Sequence, residues 1–325
     1  MILVGDVGGT KTRLALVERG AGARAPRCER RLASRDFPSL EALVRAFLDE
    51  AGHRPLRAVL GVAGPVVGDR VEATNLPWVV VGAHLGEHIG GIPVRLLNDL
   101  EATAWGIATL GDDDLETLHA GEARPGSRAL IAAGTGLGEA LILRDGDGWR
   151  PAPSEGGHVD FAPRDEFEDE LLRWHRARHG RVSYERILSG RGLADLYRFL
   201  AETGRGTASD EVARRFAEAD DPAAVVSAAA LDGSCARARL ALERFVAIYG
   251  AEAGNLALKT LAVGGVFVGG GIALRILPLL REGGFARAFT AKGRLGPVLA
   301  RIPVRLIRDD RAALWGAAAV ALTQD

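Results

Sequence analysis

The chain of 325 residues contains little cysteine: Cys28 and Cys235 stand far apart in the sequence. Two isolated cysteines exclude a disulfide framework, and no cluster of cysteine and histidine has the spacing of a structural zinc site. The first residues lack the basic and the long apolar segments of a signal peptide. We therefore expect a cytoplasmic protein.

Long apolar runs and an excess charge of one sign are also missing. The most apolar stretch, residues 261–280, contains five glycines and Arg275, which predicts a buried strand, a glycine turn and a helix rather than a membrane span. The formal net charge is −1, so nothing attracts nucleic acid or a membrane surface globally. We expect neither as a partner, and an anionic ligand must be bound by local groups.

The first motif is a glycine turn between two apolar segments, where residues 4–16 read VGDVGGTKTRLAL. Gly8 and Gly9 allow a tight turn and a close approach to a ligand, and successive free N–H groups there form an anion-binding concavity. Asp6 precedes the turn, where a carboxylate could hold a metal-bound water. The segment predicts a phosphate-binding hairpin, although a plain hairpin with glycines at positive φ is an alternative.

Two other phosphate motifs do not fit this turn. A Walker A loop needs Gly-Lys-[Ser/Thr], but Thr10 separates Gly9 from Lys11. A dinucleotide-binding turn leads into a helix, whereas residues 12–17 are rich in Leu and Val and predict a strand.

An internal repeat links residues 93–108 with residues 303–318, at a constant offset of 210 and with nine of sixteen positions identical. Each copy predicts a strand, an aspartate cap (Asp99 or Asp309) and an Ala-rich helix. Two further pairs of segments match in pattern. Strand, glycine turn and strand follow one another at 3–16 and 131–143, and a short apolar strand precedes small residues at 58–65 and 265–273.

These repeats predict an α/β fold built from two copies of one unit, the second with a helix-rich insertion at about 149–244. The arrangement resembles the actin-like ATPase (ribonuclease H-like) domains, which flank a cleft and hold nucleotide phosphates from both sides. The resemblance implies a small domain of residues 1–108 plus 309–325 and a large domain of residues 109–308. These boundaries are coarse.

A narrower resemblance rests on six segments in a fixed order: 5–10, 97–99, 133–138, 155–162, 185–190 and 266–271. Together they resemble the bacterial glucokinases of the hexokinase class, from Leu3 to about Trp315. The resemblance implies ATP-dependent phosphorylation of the 6-hydroxyl of glucose to glucose 6-phosphate, the first step of glycolysis. It also favours a homodimer.

The resemblance assigns Asp99 as the base that accepts the proton of the sugar hydroxyl, and such a base contributes about 10²–10⁴-fold to the rate. The simpler interpretation is that Asp99 and Asp309 are both helix caps; we expect Asp99 to be a cap and a base. Asn98 would bind neighbouring sugar hydroxyls, whereas Arg308 in the other copy is not typical of a sugar site.

The same resemblance makes Glu155, His158 and Glu185 sugar ligands. A carboxylate accepts two hydroxyl hydrogen bonds, and an imidazole donates or accepts one. From the sequence alone, residues 155–158 could equally form a polar loop, and a metal pair there would lack a third ligand. Glu185 alone would be a residue on a helix face.

The nucleotide site implied by the resemblance contains two phosphate turns and an adenosine-binding turn. Asp6 would hold Mg²⁺, most simply through water, because this ion keeps much of its hydration. The residues assigned to ATP are Asp6, Gly8, Gly9, Thr10, Gly134, Thr135, Gly136, Gly269, Gly270 and Gly271.

Lys11 departs from the expected small polar residue. Lysine there is typical of the broader sugar-kinase and repressor family, whose cysteine-rich zinc site after the His motif is missing here. Two alternatives stay open: a kinase for another hexose, such as mannose or an N-acetylated sugar, and a non-catalytic sugar sensor. The retained Asp99 and the lack of room for a DNA-binding segment before residue 3 argue against the sensor.

Overall fold

The computed structural model describes residues 1–73 and 76–323. Its strands are β1 Ile2–Val7, β2 Lys11–Val17, β3 Pro26–Ala33, β4 Ala58–Val62, β5 Val66–Val67, β6 Arg70–Glu72, β7 Val79–Val81, β8 Val94–Asn98, β9 Leu115–His119, β10 Arg128–Ala133, β11 Leu137–Asp145, β12 Gly148–Ser154, β13 Val266–Gly269 and β14 Val304–Ile307. Its α-helices are α1 Leu40–Ala51, α2 Gly82–His88, α3 Asp99–Gly106, α4 Glu166–His179, α5 Gly190–Glu202, α6 Asp210–Glu218, α7 Pro222–Leu231, α8 Ala236–Thr260, α9 Gly271–Arg275, α10 Leu277–Arg281, α11 Gly284–Thr290, α12 Gly296–Leu299 and α13 Ala312–Thr323.

The chain forms two compact units, one of Met1–Leu115 with Asp309–Asp325 and one of Glu116–Arg308. The first unit continues past the expected boundary at residue 108, because Arg24 Nη2 donates to Asp114 Oδ1 at 3.0 Å and holds the 3-10 turn Asp112–Asp114. Residues 324 and 325 of the expected first domain lie outside the described residues.

The main sheet of the first unit has the strand order β3-β2-β1-β4-β8, and β5, β6 and β7 form a small separate sheet. Strand β1 is antiparallel to β2 and parallel to β4. Side chains alternate between the two faces of a strand. Leu3 and Val7 therefore pack with α1 and α2 on one face, while Ile2 and Val4 pack with α3 and α13 on the other.

The sheet of the second unit has the order β12-β11-β10-β13-β14-β9. One apolar cluster joins this sheet to helices α4–α8 and α11. The expected insertion at about 149–244 is wrong at its start, because Gly148–Ser154 is strand β12 on the sheet edge. Pro151 lacks an N–H donor, which an edge strand tolerates. At the other end, α8 continues past residue 244 to Thr260.

Among the residues that the structure describes, no helix has both the length and the apolar character needed to cross a bilayer.

Candidate active site

The glycine turn of the first unit joins β1 to β2 and is held from behind by Ser34. The Gly8 N–H donates to the Lys11 carbonyl at 3.0 Å, and the Ser34 hydroxyl donates to the Gly8 carbonyl at 2.7 Å. The Ser34 N–H donates to the Thr10 carbonyl at 3.1 Å. Ser34 is fully buried, and the sequence analysis missed it because it lies in a segment without a motif. Thr10 and Lys11 are exposed.

Asp6 stands at the end of β1, next to Gly61 of the parallel strand β4. Burial raises the pKa of its carboxyl to about 7, the negative charge of Asp99 adds to the rise, and Arg13 opposes it. Arg13 is itself shared between Glu29 at 3.1 Å and Asp310 at 2.9 Å. The first unit thus has two interacting carboxyl groups beside the glycine turn whose charge is incompletely neutralised.

Asn98 and Asp99 lie where β8 leads into α3. Asn98 is the N-cap, in contrast to the predicted aspartate cap, because its backbone is still extended and its Oδ1 accepts from the Leu100 N–H at 2.9 Å. Its Nδ2 donates to the Gly64 carbonyl at 2.9 Å. Asp99 is the first helical residue. Burial raises the pKa of Asp99, although hydrogen bonds from the Leu100 amide and from Asn98 act in the opposite direction.

The second glycine turn, between β10 and β11, is fastened by Glu185. The Gly134 N–H donates to the Gly136 carbonyl at 2.8 Å, and Glu185 Oε2 accepts from the Leu137 N–H at 3.1 Å. A Cβ atom on Gly136 would overlap the Glu185 carboxylate. Glu185 is therefore a neighbour of the predicted phosphate turn as well as of the predicted sugar ligands.

Glu155, His158 and Glu185 converge in the second unit. His158 Nε2 lies 3.9 Å from Glu155 Oε2 and 3.9 Å from Glu185 Oε2. The three side chains are 77%, 55% and 33% exposed in the same order, so their polar atoms are open to a ligand. Asp160, which the sequence left without a role, accepts from Arg181 Nε at 2.7 Å.

Hydrogen bonds to two backbone carbonyls fix the loop that carries Glu155 and His158. The Tyr184 N–H donates to the Val159 carbonyl at 3.1 Å, and Arg181 Nη2 donates to the His158 carbonyl at 2.7 Å. These bonds explain how residues far apart in the sequence are held as one group.

A buried carboxyl lies beneath this loop and was not predicted. Glu139 of β11 is 1% exposed, and a Cβ atom on Gly156 would overlap its carboxylate. Burial raises the pKa of Glu139 to about 8, and the neighbouring Glu252 adds to the rise. Glu139 gives no sequence signal because it occupies an ordinary strand position.

The third predicted turn follows β13. Gly269 pairs with Ala132 in the parallel ladder, and Gly270 has φ +86°, with no room for a Cβ atom beside the Ala133 carbonyl. The fully buried Tyr249 hydroxyl accepts from the Ala133 N–H at 3.1 Å and lies 3.4 Å from the Gly269 carbonyl. Tyr249 of α8 therefore links the ends of β10 and β13, a role that the sequence analysis missed.

Each unit thus contributes a distinct chemistry. The first has a glycine turn and two interacting carboxyl groups, those of Asp6 at the end of β1 and of the half-buried Asp99 at the start of α3. The second has a glycine turn, a second turn before a short helix, and an open cluster of two carboxylates and an imidazole. Glycine turns suit phosphate groups, and a carboxylate–imidazole cluster suits hydroxyl groups.

Comparison with known proteins shows the family of this chain. The family model described as Glucokinase matches residues 3–324. The chain is 41% identical to the glucokinase of Nostoc sp., over 98% of each chain. It is 32% identical to a crystal structure of glucokinase from an Antarctic psychrotroph, with a TM-score of 0.84 over 98% of both chains.

A second solved structure extends the likeness of the fold. The structure of Balamuthia mandrillaris glucokinase in complex with glucose is 23% identical, with a TM-score of 0.82 over 98% of this chain and 93% of that chain. At this identity the likeness is one of fold.

Proposed function

The chain belongs to the glucokinase family, and we propose that it phosphorylates the 6-hydroxyl of glucose with ATP through the residues described above. Its mixed α/β fold is that of the glucokinase structures, an actin-like ATPase fold. Phosphoryl transfer depends on positioning and on neutralising charge more than on covalent chemistry. The residues of each unit divide these tasks.

Asp99 accepts the proton of the attacking hydroxyl, and its surroundings are the observation that carries this proposal. The carboxyl is half-buried and its pKa is raised. Within the described residues Asp99 has no ion pair, whereas Asp309 pairs with Arg311. A base is most effective when its pKa approaches the working pH. Burial therefore makes Asp99 a better proton acceptor than an exposed aspartate.

Glu155, His158 and Glu185 bind the sugar hydroxyls, and Asn98 adds one amide N–H. Asn98 also has a structural role. Its Oδ1 caps α3, and its Nδ2 donates a hydrogen bond to the Gly64 carbonyl. Asn98 thus fixes the start of the helix that carries Asp99.

The turns at Gly8–Thr10, Gly134–Gly136 and Gly269–Gly271 bind ATP. Asp6 fits a magnesium site, because its half-buried carboxyl lies near the negative charge of Asp99, which the charge of Arg13 only partly offsets. Bound Mg²⁺ would neutralise the phosphate charge that develops during transfer. Without it, the raised pKa of Asp6 favours a proton on the same carboxyl.

The two units are copies of one α/β unit. The strand orders β3-β2-β1-β4-β8 and β12-β11-β10-β13-β14 correspond position by position. The helices α4–α7 form the insertion, and the units act as the small and large domains.

Kinetics on a panel of sugars test the activity. With ATP and Mg²⁺ in a coupled assay, kcat/KM is expected to be higher for glucose than for mannose and N-acetylglucosamine. A higher value for either of these sugars would assign a different hexose, and no turnover with any sugar would contradict the kinase. Replacing ATP by ADP or polyphosphate in the same assay determines the phosphate donor.

The proposal includes a homodimer in the cytoplasm, as the family resemblance favours. Light scattering after size-exclusion chromatography measures the oligomeric state, and cell fractionation determines the location of the protein.

A further inference from the structure

Three potential metal ligands meet in the helical part of the second unit, away from any sequence motif. They are His175 and His179 of α4 and Asp195 of α5, and one ligand atom from each lies within 4.8 Å of the others. Residues four apart on a helix share one face, so the two imidazoles point the same way. The pair has the spacing of the two histidines in helical zinc motifs.

His175 is the unusual member of this group. It is 0% exposed, and neither Nδ1 nor Nε2 has a hydrogen-bond partner within residues 1–73 and 76–323. Buried side-chain nitrogens nearly always have a partner. A metal ion would supply one.

The arginines near the three residues are paired with carboxylates, which reduces their repulsion of a bound cation. Arg198 Nη1 donates to Asp195 Oδ1 at 2.7 Å, and a metal-binding carboxylate is commonly hydrogen-bonded in this way while its other oxygen binds the ion. Arg178 also lies nearby, but it pairs with Glu202 at 2.7 Å and stacks 3.6 Å above Trp174. Its charge is thereby partly compensated.

We propose that His175, His179 and Asp195 bind one divalent transition metal ion of the zinc class and so join α4 to α5. Zinc binds imidazole nitrogen and carboxylate oxygen at about 2.0–2.2 Å, and a site with three protein ligands leaves a fourth position for water. Tetrahedral ligand atoms at that bond length lie roughly 3.4 Å apart. The exposed His179 can rotate to close the remaining distance.

The metal would restrain a functional segment. Residues 180–189 connect α4 to α5 and include Glu185, which contacts the glycine turn through the Leu137 N–H. The expectation of no zinc site from cysteine and histidine spacing overlooked this group, because its third ligand is a carboxylate sixteen residues after His179. The inference is independent of the proposed kinase activity.

Zinc titration of the full-length protein tests the proposal. After treatment with chelator, Zn²⁺ is added in competition with a chromophoric chelator and in excess Mg²⁺, which prefers oxygen ligands. The variants are His179→Ala and Asp195→Asn, with His84→Ala as the control. His84 is exposed and has His88 four residues later on α2, so it reproduces the histidine spacing. The buried His175 is left unchanged to preserve folding.

The wild type and the control are expected to bind one zinc ion, and each test variant at least about 100-fold more weakly, since loss of even an outer partner costs about 10–100-fold. Cobalt(II) should give the visible spectrum of a nitrogen–oxygen site, without thiolate bands, in wild type only. Equal zinc affinity in wild type and His179→Ala, or no stoichiometric binding by wild type, would overturn the proposal. Thermal unfolding checks that each variant is folded.

Discussion

The two copies of the internal repeat, residues 93–108 and 303–318, place an equivalent aspartate in opposite surroundings. Asp309 accepts from Trp315 Nε1 at 2.8 Å and from Arg311 Nε at 3.1 Å. Burial would raise the pKa of Asp309, but these bonds and the Arg311 amide hold it below its ordinary value. Asp99, at the equivalent position, has a raised pKa.

Residues outside the shared pattern cause this difference. The residue two positions after the aspartate is Arg311 in one copy and Glu101 in the other. Trp105 is equivalent to Trp315, yet its buried Nε1 has no acceptor within the described part of the chain. Asp99 is thus left free of the partners that neutralise Asp309.

Residues inside the shared pattern serve packing. Gly106 and Gly316 occupy equivalent positions on α3 and α13. A Cβ atom on Gly316 would overlap the Ala102 carbonyl, and one on Gly106 would overlap the Ala312 carbonyl. The comparison shows that the identical residues maintain the helix contact, whereas the differing residues determine the chemistry.

The largest effect is expected from the two aspartates themselves. Asp99→Asn should lower kcat by about 10²–10⁴-fold, because it removes the base. Asp309→Asn is the matched control, and it should leave kcat nearly unchanged while lowering stability, because it removes the charge that Arg311 neutralises. Coupled-assay kinetics and thermal unfolding of both variants measure this. Normal turnover by a folded Asp99→Asn enzyme would refute the assigned role.

The pH dependence of stability should distinguish Asp6 from Asp309. The folded pKa of Asp6 is about 7, against 3.8 for the free side chain. The folded state therefore binds a proton that the unfolded state releases, and the free energy of unfolding falls as pH rises from about 4 to 7. The fall is at most about 4 kcal/mol. Asp309 has a lowered pKa, so its contribution to the free energy of unfolding is lost as pH falls.

Urea unfolding of wild type and Asp6→Asn, without Mg²⁺ and across this range, tests the sign. The variant should lose part of the decrease between pH 4 and 7. The same dependence of unfolding free energy on pH in both proteins would contradict the raised pKa of Asp6. Asp309→Asn should instead reduce the loss of stability that occurs as the pH falls.

The contact between α3 and α13 should be weakened equally by a larger residue on either helix. Gly106→Ala and Gly316→Ala should each destabilise the protein by about 3 kcal/mol, the upper part of the usual range for overpacking, because the obstructing atoms are backbone. Gly134→Ala serves as a control, since a Cβ atom there meets nothing within 4 Å. A stability loss from only one of the two helix variants would show that the contact is not reciprocal.

The smallest effect concerns the two tryptophans. Trp315→Phe should cost about 2 kcal/mol more stability than Trp105→Phe, because only the former removes a hydrogen bond to a carboxylate. Removing the unpartnered N–H of Trp105 offsets part of the cost of its lost volume. Urea midpoints of both variants measure the difference, and equal losses would indicate that the Asp309 bond contributes nothing net.

Much of the fold could be predicted because its signals are local. The turn at residues 8–10, the strands on either side of it and the repeat at residues 93–108 all follow from glycines and alternating apolar residues. The aspartate cap was wrong because both Asn98 and Asp99 favour helix starts, and the backbone conformation decides between them. Ser34, Glu139 and Tyr249 were missed because each acts through a contact with a distant strand or turn.

The sequence by itself determined the family, the order of the turns and the set of polar residues. It could do so because phosphate turns and strand–turn–helix junctions depend on neighbours along the chain. Only the tertiary structure decided which aspartate stays without a neutralising partner, where Glu185 rests and that His175 is buried without a hydrogen bond. Burial and electrostatic interactions depend on groups brought together by folding, and a pattern along the chain does not specify them.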